Sequence, residues 1–179
     1  ARVWTRESAS IRRVIRGFGG PVYAVAFSPD TKTLATGNED QALQLWDLES
    51  GKLTRAYKGH SGSVESIDFT SDGESLAAGC GDQTIRLWNT ASGRLLATMS
   101  GHSGIVKCVA FAPSGKLLAS GGQDGTMRLW NVESSKEVAR FEGHVNSVYD
   151  VGFSSDGSWI ASASFDRTTK VWRMPGGQM

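Results

Sequence analysis

Tryptophan falls at positions 4, 46, 88, 130 and 172, each 42 residues after the last. Aspartate keeps the same interval at 40, 82, 124 and 166, and so does Gly-His at 59–60, 101–102 and 143–144. In the first unit the matching dipeptide is Gly17-Phe18. Three unrelated markers on one period identify an array of one repeated structural unit, which limits the fold to a repeat architecture.

The inside of the unit is equally regular. Alternating apolar segments run over 22–27, 64–69, 106–111 and 148–153. Turns follow at Ser28-Pro29-Asp30, Ser71-Asp72-Gly73, Pro113-Ser114-Gly115 and Ser155-Asp156-Gly157, residues that set turn dihedrals at little cost. Next come Leu34-Ala35, Leu76-Ala77, Leu118-Ala119 and Ile160-Ala161, then the Asp-bearing turn, then a strand ending in Trp. A fourth segment covers 52–57, 94–99 and 136–141. No stretch has helical periodicity long enough to compete, and 22 glycines against 4 prolines suit many tight turns. Each unit is therefore four short strands. One such sheet cannot cover both of its faces, whereas stacking sheets radially does.

These residues resemble the WD40 family, whose repeat opens near Gly-His and ends near Trp-Asp. The resemblance runs from Arg2 to about Arg173. It implies an all-β chain of WD40 β-propeller blades, four antiparallel strands each, with four repeats at 17–58, 59–100, 101–142 and 143–173. Residues 1–16 supply strands of an upstream or closing blade, and 174–179, with Gly176-Gly177-Gln178, read as a flexible tail. The chain departs from the family in its closing dipeptides: only Trp46-Asp47 is complete, against Trp88-Asn89, Trp130-Asn131 and Trp172-Arg173. Phe18 stands where His is expected, and Ala78 where other repeats have Thr36, Ser120 and Ser162.

Ser, His and Asp together invite a catalytic triad. An enzyme needs one such constellation beside a cleft and an oxyanion site. Here the set recurs with the structural period, and the resemblance implies a hydrogen-bonded tetrad that ties turns to strands. Complete tetrads are expected for His102, Ser120, Asp124 and Trp130, and for His144, Ser162, Asp166 and Trp172. The second repeat keeps His60, Asp82 and Trp88 without the hydroxyl; the first keeps Thr36, Asp40 and Trp46 without His. These two blades are expected to be less rigid. No phosphate-loop glycine pattern, HExxH or paired metal ligands occur, so no catalytic residue, metal or cofactor is assigned and the chain is read as a non-enzyme.

Positions that vary between repeats are free for recognition. The resemblance places binding on the loops before the first strand and between the second and third. One such column is Tyr23, Glu65, Lys107 and Tyr149; another is Glu39, Gly81, Gln123 and Phe165. Tyr149 and Phe165 are the strongest choices, because hot spots favour aromatic groups. The expected function is a scaffold that presents a rigid face to protein or peptide ligands. The alternatives are a reader of a modified peptide and a regulatory domain of an enzyme whose catalytic part lies elsewhere.

Net charge is +1, which disfavours nucleic acid and anionic membranes as partners, and no apolar run is long enough to span a bilayer. The local basic cluster Arg2, Arg6, Arg12, Arg13 and Arg16 suits an edge strand that must resist edge-to-edge pairing, with a phosphate-binding patch as the alternative reading. Cys80 and Cys108 lack metal or CxxC spacing and read as buried reduced thiols, which suggests an intracellular, cytoplasmic protein. Ring closure leaves two readings. Residues 11–16 could complete the last blade beside 168–172, but 2–4 would then be surplus. Either the chain is an arc of a larger propeller, favoured by the surplus strand and the absent initial Met, or copies self-associate through open blade ends.

Overall fold

The computed structural model describes residues 1–4 and 10–174; Arg6 and Gly176-Gly177-Gln178 lie outside them. The described residues form seventeen strands and no helix. Strands β1 (Arg2–Trp4) and β2 (Ile11–Val14) form a two-stranded sheet. Blade 1 is β3 (Val22–Phe27), β4 (Thr33–Asn38), β5 (Leu43–Asp47) and β6 (Leu53–Tyr57). Blade 2 is β7 (Val64–Phe69), β8 (Ser75–Cys80), β9 (Thr84–Asn89) and β10 (Leu95–Ser100). Blade 3 is β11 (Val106–Phe111), β12 (Leu117–Gly122), β13 (Met127–Asn131) and β14 (Lys136–Phe141). Blade 4 has three described strands, β15 (Val148–Phe153), β16 (Trp159–Ser164) and β17 (Thr169–Arg173). Every pairing is antiparallel between sequence neighbours.

The blades meet through their first strands: β3 packs on β7, β7 on β11 and β11 on β15. The apolar cores accordingly lie between blades. Leu43, Leu45 and Tyr57 of blade 1 share one cluster with Val64, Ile67 and Leu76 of blade 2, and the same arrangement joins blades 2 to 3 and 3 to 4. Close approach requires a missing side chain. A Cβ on Gly121 would lie 2.5 Å from Val148 Cγ1, so the strand-two glycine makes the seat for the next blade's valine. Where no neighbouring inner strand is described, the same column is open. Val25 is 58% exposed against 7% for Ile67, and Val171 is exposed where Leu45, Leu87 and Leu129 are buried.

The closing role considered for residues 11–16 is not what the structure shows. β2 pairs with β1, Val3 opposite Arg13, rather than with β17. Val3 and Ile15 are buried against Leu34, Trp46 and Leu48 of blade 1. A hairpin closes a short loop and so costs less chain entropy than pairing with a strand at the far end. Arg2 to Trp4 is therefore no surplus strand but the partner of β2.

Outer turns are clamped by arginine. Arg13 donates to the carbonyls of Glu49 and Ser50, and Arg55 to those of Ala91 and Ser92. Arg13 is thus occupied in the fold. The corresponding residues on later blades are Ala97 and Ala139, so the clamp is optional rather than universal. Arg55→Ala is expected to cost about 1 kcal/mol, or roughly 2–4 °C in melting temperature. An unchanged melting curve would show that water replaces these bonds at no cost.

Candidate functional site

Two sets of residues invite a functional reading: the buried Ser/His/Asp sets and the loop columns at one rim. In blade 3 the buried set is complete. Trp130 Nε1 donates to Ser120 Oγ at 2.9 Å, and Ser120 Oγ lies 2.8 Å from His102 Nε2. His102 Nδ1 lies 3.0 Å from Asp124. Indole only donates and carboxylate only accepts, so protons run from Trp130 to Ser120 to His102 and from Nδ1 to Asp124. The imidazole is neutral, in keeping with a pKa lowered by burial. Burial also works against the Asp124 charge, but the Ser103 amide and the Thr126 hydroxyl and amide outweigh it and hold the carboxyl at about 2. Blade 4 repeats the pattern: Trp172 to Ser162 at 3.0 Å, Ser162 to His144 at 2.9 Å and His144 to Asp166 at 2.8 Å.

The other two blades correct the sequence reading. In blade 1 Trp46 Nε1 donates to Thr36 at 2.9 Å, and Phe18 packs edge-on against Trp46 with centroids 5.4 Å apart. Asp40 takes no part: it is exposed and accepts no hydrogen bond among the described residues. In blade 2 His60 is not joined to Asp82. Arg86 donates to Asp82 at 2.7 Å instead. The cause lies one strand away. Arg128 in blade 3 reaches Glu137 at 2.6 Å, but blade 2 has Leu95 at that place, so Arg86 turns to the aspartate. His60 then sits 5.5 Å from Trp88, against 6.4 Å for His102 and Trp130. Both His60 nitrogens and Trp88 Nε1 are buried without a partner; the Gln41 backbone approaches the ring but closes no well-formed bond. Burial, with the Arg86 charge second, brings His60 down to about 4.

As chemistry, the blade 3 set is closed. Ser120 is fully buried, its oxygen engaged by both Trp130 and His102, so no substrate carbonyl can reach it. Among the described residues no three His, Cys, Asp or Glu side chains are placed to hold a metal ion.

The rim is different. Tyr23, Glu65, Lys107 and Tyr149 each occupy a β-bulge, the extra residue between Val22 and Ala24, Val64 and Ser66, Val106 and Cys108, and Val148 and Asp150. A bulge leaves its residue outside the ladder and re-aims its side chain. The second column is held by its backbone. The amides of Glu39, Gly81, Gln123 and Phe165 donate to the carbonyls of Pro21, Ser63, Ile105 and Ser147.

The structure joins most of these side chains. Tyr23 donates to Glu39 at 3.0 Å, an interaction that raises the Tyr23 pKa. Lys107 bonds Glu65 at 2.9 Å and lies 5.9 Å over the Tyr149 ring, which tilts against Phe165 at 6.0 Å. A line thus crosses blades 2, 3 and 4 in the order Glu65, Lys107, Tyr149 and Phe165. Gln123 stands apart, its side chain turned to the Ile105 amide. Sequence reasoning missed Val145 (90% exposed), whose amide donates to Asp166, the chain neighbour of Phe165 (69%), and the exposed Arg167. The 42-residue alignment held the signal, since those columns hold Ser61 and Ser103, and Gln41 and Gln83.

A depression of ≈190 Å³ in blade 4 is lined by residues that include Asp150, the chain neighbour of Tyr149, and Ser162. A family model for the second β-propeller of echinoderm microtubule-associated protein matches residues 19–179. Among curated proteins none matches the chain.

Proposed function

Because the chain belongs to the family of the echinoderm microtubule-associated protein second β-propeller, we propose that it is a non-catalytic scaffold whose bulge-lined rim binds a protein or peptide partner. The blades are WD40 repeats in this reading, supported by the 42-residue period and the Trp130–Ser120–His102–Asp124 network. One observation carries the function: the least constrained residues of the repeat converge on one rim. Tyr149, Phe165 and Val145 are exposed there on a rigid backbone, as hot-spot anchors must be. Two buried free thiols support an intracellular, cytoplasmic setting. The clamped Arg13, which the fold already uses, weighs against nucleic acid as the partner.

Photo-crosslinking tests this reading. A crosslinking amino acid at Tyr149 or Phe165 is expected to capture the partner in cells, whereas one at Val138, exposed on the outer strand β14, is not. Capture only from Val138 would move the binding face to the outer edge. Tyr149→Ala with Phe165→Ala is expected to weaken partner binding about 10-fold or more, with little change in melting temperature. Equal loss of stability would make these residues core.

A further inference from the structure

Among the bulge positions and the turns between second and third strands, few charges stay free. Asp82 is engaged by Arg86, Asp124 by His102, Asp166 by His144 and Glu65 by Lys107. Asp40 remains, with Glu39, which accepts only from Tyr23, and Arg167, which has no partner among the described residues. Asp40 is free for a traceable reason. The His of later blades is Phe18 here, the Thr that caps the aspartate is Ala42, and the Arg of blades 2 and 3 is Gln44. The carboxylate rests on Gly19 and Gly20, where a Cβ would lie 2.4 and 2.9 Å from its oxygen, and stays exposed. A carboxylate that elsewhere stitches a blade together lies exposed against the Gly19-Gly20 turn in blade 1, with no hydrogen bond among the described residues. At blade 4 the exposed Tyr149 ring tilts against the exposed Phe165, and the amide of exposed Val145 donates to Asp166, which stands between Phe165 and Arg167 in the chain. At these positions blade 1 is therefore anionic, and blade 4 is apolar with the cation of Arg167.

We propose that this rim takes an extended segment of another protein that carries one cationic and one bulky apolar side chain. The cation meets Asp40 and Glu39 on blade 1, and the apolar group seats among Val145, Tyr149 and Phe165 on blade 4. Arg167 turns a second cation away from the apolar end and so sets the direction in which the segment lies. Complementary charge gives register and specificity, while apolar burial supplies most of the affinity. This inference rests on the rim being the binding face.

The probes are fluorescent glycine-serine peptides with one arginine and one phenylalanine at several spacings, each beside a twin in which glutamine replaces the arginine. Anisotropy titrations are expected to show the best arginine peptide binding about five-fold tighter than its twin at low salt. The gap should shrink at high salt. Glu39→Gln with Asp40→Asn should erase the gap and leave melting temperature unchanged; Val145→Ser with Phe165→Ser should weaken both peptides. If the twins bind alike, or the gap survives in the carboxylate variant, the cation proposal fails while dependence on Phe165 keeps the rim reading. If no peptide binds, or binding ignores Phe165, both fail.

Discussion

Asp124→Ala is expected to lower the melting temperature by about 6–12 °C, and Asp40→Ala to leave it within about 1 °C. The two residues share a place in the repeat and little else. Asp124 accepts from His102, the Ser103 amide and the Thr126 hydroxyl and amide, and its side chain is 7% exposed. Removing it leaves buried donors without an acceptor, and Arg128, 3.8 Å away, with less compensation. Breaking such a pair costs about 3 kcal/mol or more. Asp40 has none of these partners. The Asp124 pKa, held down at about 2 against 3.8, gives the pH signature. A carboxyl with a depressed folded pKa stabilises above its unfolded value and loses that contribution as pH falls from about 4 to about 2. Paired thermal melts decide the matter: equal shifts for both variants would mean that position in the repeat, not bonding, sets the cost.

Ala78→Ser combined with His60→Phe is expected to raise stability by about 3 kcal/mol at pH 5 but only about 1 kcal/mol at pH 8. The design is taken from the chain's own neighbours. Ser120 and Ser162 accept the indole N–H at 2.9 and 3.0 Å, so an oxygen at position 78 should do the same for the orphaned Trp88. Phe18 shows that a phenyl ring fits where His60 stands, packed against the blade's tryptophan. The pH difference comes from His60, whose folded pKa is about 4 against an ordinary 6.5. Between those values the unfolded chain takes up a proton that the buried ring cannot, so stability falls as pH drops from about 6.5 to about 4. The term is on the order of 2 kcal/mol at pH 5, and phenylalanine abolishes it. Thermal melts of both proteins at the two pH values measure the effect. If the natural chain loses no more stability on acidification than the double variant, His60 is not held neutral in the fold.

Strand positions were legible in the sequence because each is written several times at one spacing. The first strands begin at Val22, Val64, Val106 and Val148, 42 residues apart as the apolar segments predict. Trp46, Trp88, Trp130 and Trp172 all end up on third strands for the same reason. Repetition averages out local ambiguity, so a pattern weak in one unit becomes decisive in four. The rim columns could be chosen the same way, as positions where the repeat does not agree with itself.

The linear order of residues therefore dictates the unit, its period and its place in an all-β stack. Which bonds are made inside the unit was decided only by tertiary structure. Whether Asp82 holds His60 depends on Leu95, a residue on another strand that leaves Arg86 without the glutamate Arg128 enjoys. Whether residues 11–16 closed a distant blade or paired nearby was settled by Val3 and Ile15 packing on blade 1. Hydrogen bonds are short-ranged and directional, so their partners are chosen by neighbours in space. The 42-residue period survives because burial of alternating apolar faces needs only pattern, and pattern is what a linear chain can carry.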